Sequence, residues 1–100
     1  MTLVIIRTKL RAGVDLATYE ALNARMFEIV SAMPGFVSVK GYKGDDGDEI
    51  ALIRFASADA LRAWREHPEH LVVQQRGKTE FYAAYDIEVL EQTRAYHFHL

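Results

Sequence analysis

Extended segments that are apolar on both of their sides constrain this chain more than any other feature. Along Thr2–Leu10 the two-residue alternation of a strand sends Val4 and Ile6 to one side and Leu3 and Ile5 to the other. Glu49–Ala56 sets Ile50 and Leu52 against Ala51, Ile53 and Phe55, and Phe36–Lys43 sets Val37 and Val39 against Phe36 and Tyr42. An antiparallel sheet with one wet face alternates apolar with polar residues, and these segments do not. An uncovered second face would be an apolar patch beyond what monomers tolerate. The expectation is therefore a homodimer in which two sheets pack face to face about a two-fold axis.

The intervening segments read as helices. Asp15 stands at an N-cap position, and Leu16, Tyr19, Leu22, Met26, Ile29, Val30 and Met33 follow at spacings of three and four. Met33-Pro34-Gly35 stops that helix. Gly44-Asp45-Asp46-Gly47-Asp48 is a hairpin turn between two strands. Ser57 caps a short second helix with Leu61 and Trp64 on one face, and Pro68 opens a third from about Glu69 to Thr79. Phe81–Val89 closes the pattern as a strand, with Tyr85, Ile87 and Val89 alternating against Asp86 and Glu88. Glu91–Leu100 alternates again, Tyr96, Phe98 and Leu100 against His97 and His99; it either extends the strand or lies as an arm on a neighbour. The order β-α-β-β-α-α-β over residues 1–100 predicts one domain, an α+β ferredoxin-like sandwich with a four-stranded antiparallel sheet.

Composition removes several function classes. A formal charge of -2 argues against nucleic acid, and no apolar run approaches a membrane span. Zero cysteines exclude a thiol nucleophile and Cys-ligated metal. The start, MTLVIIRTKL, lacks the basic region and cleavage site of a signal peptide, so a cytoplasmic protein is expected. No phosphate loop, dinucleotide fingerprint or nucleophile elbow is present.

Three segments carry a resemblance. Met33-Pro34-Gly35-Phe36-Val37, Ala63-Trp64-Arg65-Glu66-His67-Pro68-Glu69-His70 and Phe81-Tyr82-Ala83-Ala84-Tyr85 resemble, in this order and spacing, the antibiotic biosynthesis monooxygenase (ABM) family. The resemblance implies a ferredoxin-like fold and a dimeric α/β barrel. It also implies oxidation of a small aromatic or quinol-like substrate by dioxygen, without metal or organic cofactor, in a pocket between sheet and helices. Quinone-forming members are described with a Trp and a Tyr at positions that fall on Phe55 and Leu61 here, so that pair is not reproduced. Trp64 matches the Trp of haem-degrading members, whose Asn and His fall near Arg7 or Thr8 and near Gln74 or Gln75; no axial imidazole is supplied. A dimeric module that binds a small hydrophobic ligand without turnover is the alternative from another class, and an isomerase or haem-handling protein of the same fold is a third.

Several side chains can carry chemistry. Trp64 either anchors the core or stacks on a flat substrate, and His67 and His70 either satisfy helix ends or act as a base near neutral pH. These three are the catalytic candidates. Arg54, Tyr42, Tyr85 and Phe55 are the substrate-binding candidates, Arg54 pairing with an acid or an anionic group and the phenols donating to a carbonyl or oxyanion. No metal site is expected. His67 and His70 lack a third ligand, Asp45, Asp46 and Asp48 lack the calcium-hand spacing, and His97 and His99 suit partner contact or solvent exposure better.

Overall fold

A computed structural model describes residues 1–100. In chain order it contains β1 (Thr2–Leu10), α1 (Leu16–Ser31), β2 (Phe36–Lys43), β3 (Glu49–Phe55), α2 (Ala58–Arg65), α3 (Pro68–Arg76), a π-helical turn at Gly77–Phe81, and β4 (Tyr82–Glu91). The strands form one antiparallel sheet in the order β2-β3-β1-β4. With the helices packed on one face, this is the ferredoxin-like α+β fold.

Local chemistry accounts for the helix boundaries. Thr18 N–H donates to Asp15 Oδ1 at 3.2 Å and Ala60 N–H to Ser57 Oγ at 3.1 Å, so both caps satisfy donors that have no partner inside their helices. Pro68 occupies the first turn of α3, where its missing N–H costs nothing. The third helix stops at Arg76 rather than continuing to Thr79, because the chain widens into the π-turn. Arg11 holds that turn by donating to the carbonyls of Lys78, Thr79 and Tyr82.

The core comprises Val4, Met26, Val30, Phe55, Leu61 and Trp64, with Ile6, Ile53 and Phe36 packed against it. Directly paired strand residues share a face. Thr2↔Phe55 and Val4↔Ile53 therefore define the helix-covered side, while Leu3↔Arg54 and Ile5↔Leu52 define the open side. One alternation differs from the sequence expectation. Between Phe36 and Ser38 the register shifts, so Phe36 and Val39 pair with Phe55 and Ile53 on the covered side, and Tyr42 pairs with Ile50 on the open side. A bulge inserts one unpaired residue and reverses the parity of everything beyond it.

Gly35 joins this bulge to α2. Its φ is +86°, and a Cβ there would lie 2.5 Å from the Ala60 Cβ. Gly35→Ala combines left-handed backbone strain with overpacking against α2, a loss of about 3 kcal/mol. A urea midpoint unchanged from the parent chain would contradict this.

Candidate functional site

The helical layer does not cover the whole sheet. α1 packs on β2, α2 on β3, and α3 on α1 and α2, while β4 meets the layer through the π-turn. Register pairs Val89 with Val4 and Ile87 with Ile6, which places Ile87 and Val89 on the same side as the core. They are nevertheless 51% and 54% exposed, so an apolar margin of the sheet stands open beside the helices. Tyr85, paired with Thr8, continues it.

The aromatic cluster on the helical side centres on Trp64, which is buried in the core. The His70 ring stacks on the indole with centroids 4.0 Å apart and 13° between planes, and the His67 ring lies 6.0 Å away. The α2–α3 break brings both about: α2 ends at Arg65, and α3 restarts at Pro68. His70 is therefore not solvated on its helix, as a surface position on α3 would suggest, but half-buried against Trp64.

Backbone bonds set the two imidazoles in opposite tautomers. His70 Nδ1 lies 3.0 Å from the Trp64 carbonyl oxygen, which only accepts. Nδ1 must carry the proton, and the neutral ring keeps its lone pair on Nε2. At His67 the roles reverse, since Glu69 N–H donates to Nδ1 at 3.2 Å, capping α3. The neutral His67 ring is thus protonated at Nε2. One ring offers a base and the other a donor.

Burial lowers the His70 pKa below its ordinary value of 6.5; the bond to the Trp64 carbonyl opposes this and the neighbouring His67 adds to it. The native chain accordingly binds fewer protons at this site than the unfolded chain. Stability from the neutral stack is complete above 6.5 and is lost as pH falls through the lower native value. The urea midpoint should decline on acidification below neutrality, and His70→Phe should flatten that decline while retaining a ring on Trp64. Parallel pH profiles for the two proteins would remove His70 as the cause.

The other candidates are not all brought to this place. Phe55 is 1% exposed, a core side chain with no face open to a ligand. Arg54 and Tyr42 lie on the open face of the sheet, opposite Trp64, where Arg54 has no ion-pair partner within the chain. Tyr85 shares the helical side with Trp64 and lies 5.9 Å, ring to ring, from Tyr82. Tyr82, itself a candidate phenolic donor by residue type, is joined to Tyr19 from 63 residues away, a pairing that no local pattern signals. The Tyr19 and Tyr82 hydroxyls share a hydrogen bond at 3.2 Å, and burial, reinforced by Tyr19, pushes the Tyr82 phenol well up from its ordinary value. Gly77 makes room for that ring, since a Cβ there would come 2.7 Å from Tyr82 Cε2. A groove of about 340 Å³ lined by Leu22, Met26, Val72 and Val73 lies between α1 and α3, bridged by the Arg25–Glu69 ion pair. No group of three or more His, Cys, Asp or Glu side chains converges on a metal position.

A four-stranded antiparallel sheet with helices on one face defines the ferredoxin-like class of α+β proteins. Within it, residues 1–76 match the antibiotic biosynthesis monooxygenase family, and the chain belongs to that family. It is 31% identical over 76 residues to YqjZ of Bacillus subtilis, covering 76% of this chain and 67% of that protein. Its fold is similar to that of Rv0793 from Mycobacterium tuberculosis, with a TM-score of 0.79, 24% identity, and coverage of 94% and 96% of the two chains. It is also similar to SnoaB, a cofactor-independent oxygenase from Streptomyces nogalater, with a TM-score of 0.76 for the N63A mutant, 17% identity, and 94% of each chain covered. No helix is long and apolar enough to cross a membrane.

Proposed function

We propose that the protein is a cofactor-independent oxygenase acting on a small, flat, electron-rich phenolic compound bound along the Tyr85–Ile87–Val89 margin beside Trp64 and His70. The observation that carries the proposal is the His70 tautomer, a neutral imidazole near physiological pH with its lone pair on Nε2. Such a base removes a proton from an activated CH₂ group flanked by aromatic rings. The resulting carbanion reduces dioxygen directly. One oxygen atom ends as the carbonyl of the product and the other as water, so the substrate supplies all the electrons. Tyr85, with the Tyr19–Tyr82 pair behind it, supplies phenolic donors toward the developing oxyanion.

Oxygen uptake with an anthrone tests this. Consumption should exceed one equivalent of protein and fall by about 10²-fold or more in His70→Phe, since a positioned base contributes roughly that much. Unchanged kcat in His70→Phe removes His70 from the chemistry. Stoichiometric spectral shifts without turnover establish the second reading, a ligand-binding module, which the near-complete burial of Trp64 favours.

The working unit is proposed to be a dimer with the open sheet faces together. The single chain exposes 7076 Å², whereas a compact monomer of 11.4 kDa exposes about 5,800 Å². The excess is about 1,300 Å², and a stable interface takes about 800 Å² or more from each partner. Leu90, paired with Leu3 on the open side, is 44% exposed, and Tyr42 on the same side is 46% exposed, so apolar side chains of that face stand in water in a single chain.

A further inference from the structure

We propose that the Arg25–Glu69 ion pair positions His70: it fixes the rotation of α3 about its own axis and so keeps the imidazole on Trp64, an inference that rests on His70 as the base. Of the three helices, α3 is the one that the core does not orient. α1 buries Met26 and Val30, α2 buries Leu61 and Trp64, and α3 buries no residue. Within it only His70, Val73 and Arg76 are half-buried, while Leu71 and Val72 are 50% and 61% exposed. Interlocked side chains do not set its rotation either, because Leu22 and Met26 of α1 and Val72 and Val73 of α3 line an open groove rather than closing it. Pro68 separates α3 from α2, so no continuous helix aligns the two.

Two polar ties are left to set the rotation. Arg25 Nε and Nη2 donate to Glu69 Oε2 and Oε1 at 3.1 and 3.0 Å, a two-point clamp reaching across from α1. His70 Nδ1 meets the Trp64 carbonyl of α2 at 3.0 Å. Consecutive residues project about 100° apart around a helix, so the two ties pull on different faces of α3 and together admit one rotation. The bond from Arg25 holds the Glu69 carboxyl below its ordinary range, which keeps the clamp charged through neutral pH. Without the clamp, α3 has the room of the groove in which to roll. A roll of about 20° carries a side chain about 6 Å from the helix axis through about 2 Å, and about 1 Å of misplacement is already costly to a proton transfer. Both partners are 48% exposed, so water and salt screen the pair, and its loss should shift the balance by about fivefold at most.

Proton NMR of the His70 ring reads this geometry directly. A ring stacked 4.0 Å above the indole is shielded by it, and the His70 signals are identified by their loss in His70→Phe. Arg25→Met is expected to remove about half or more of the upfield displacement. Oxygen uptake with an anthrone should show kcat lower by about three- to fivefold and KM nearly unchanged. The urea midpoint should hardly move, since both partners are exposed. Arg25→Glu combined with Glu69→Arg rebuilds the pair with its charges reversed and should recover most of the displacement and of kcat. A displacement that is unchanged in Arg25→Met, or lost and not recovered in the double variant, overturns the positioning role. So does a loss and recovery that leaves kcat untouched. If the parent chain consumes no oxygen while the displacement is lost and recovered, the clamp stands and His70 as the base is overturned.

Discussion

Leu52→Asp is expected to leave a chain that no longer holds its partner, with a native mass near 11.4 kDa or a loss of soluble folded protein. Leu52 sits in the middle of β3 on the open side of the sheet, between Ile5 of β1 and Lys40 of β2. In a monomer that position is half-buried on the sheet surface, and the change would cost about 1 kcal/mol with no change of mass. In the face-to-face dimer the same change buries two carboxylates at one interface. Even partly relieved by relaxation, this should weaken association at least about 10³-fold, or about 4 kcal/mol. Concentration-dependent sedimentation of the two proteins decides the matter. A substituted chain that is more soluble, nearly as stable and unchanged in mass would mean that the open face meets solvent.

Trp64→Ala is expected to cost about 3–5 kcal/mol, as removal of a buried aromatic side chain does. Total stabilities of small proteins are about 5–15 kcal/mol, so the variant should sit close to its unfolding threshold. The loss has two sources. Trp64 packs in the cluster of Val4, Met26, Val30, Phe55 and Leu61, and its indole is the platform for His70. Comparing urea midpoints of Trp64→Ala and Trp64→Phe separates them, since Phe keeps most of the buried area. A midpoint shift below about 1 kcal/mol for Trp64→Ala would show a ligand-lining residue rather than a core residue.

Much of the fold was legible before any tertiary contact was known. The caps at Asp15 and Ser57, the stop at Met33-Pro34-Gly35 and the Pro68 start all depend on groups within a few residues of one another. The ferredoxin-like class followed from packing one layer of helices on four antiparallel strands, whereas the order β2-β3-β1-β4 belongs to the tertiary pairing. The parity of β2 was not legible, because a bulge between Phe36 and Ser38 is a property of its pairing with β3. Neither was the π-turn, which Arg11 holds from about seventy residues away in sequence.

The candidate site divides along the same line. Trp64, His67 and His70 were identifiable by residue type and spacing around Pro68. Their roles were not, because those depend on which backbone group each Nδ1 meets: a carbonyl for His70 and an N–H for His67. Arg54, Tyr42 and Phe55 seemed equivalent companions from a strand pattern alone, yet register sends two to the open face and seals the third in the core. The sequence by itself determined which elements form, where they stop, and that β1 and β3 carry apolar residues on both sides, since these follow from short-range sterics, capping and alternation. Only the tertiary structure decided which side chains share a face, which imidazole keeps a free lone pair, and where the sheet is left uncovered. Those outcomes depend on register and burial, which bring together residues that the chain itself keeps apart.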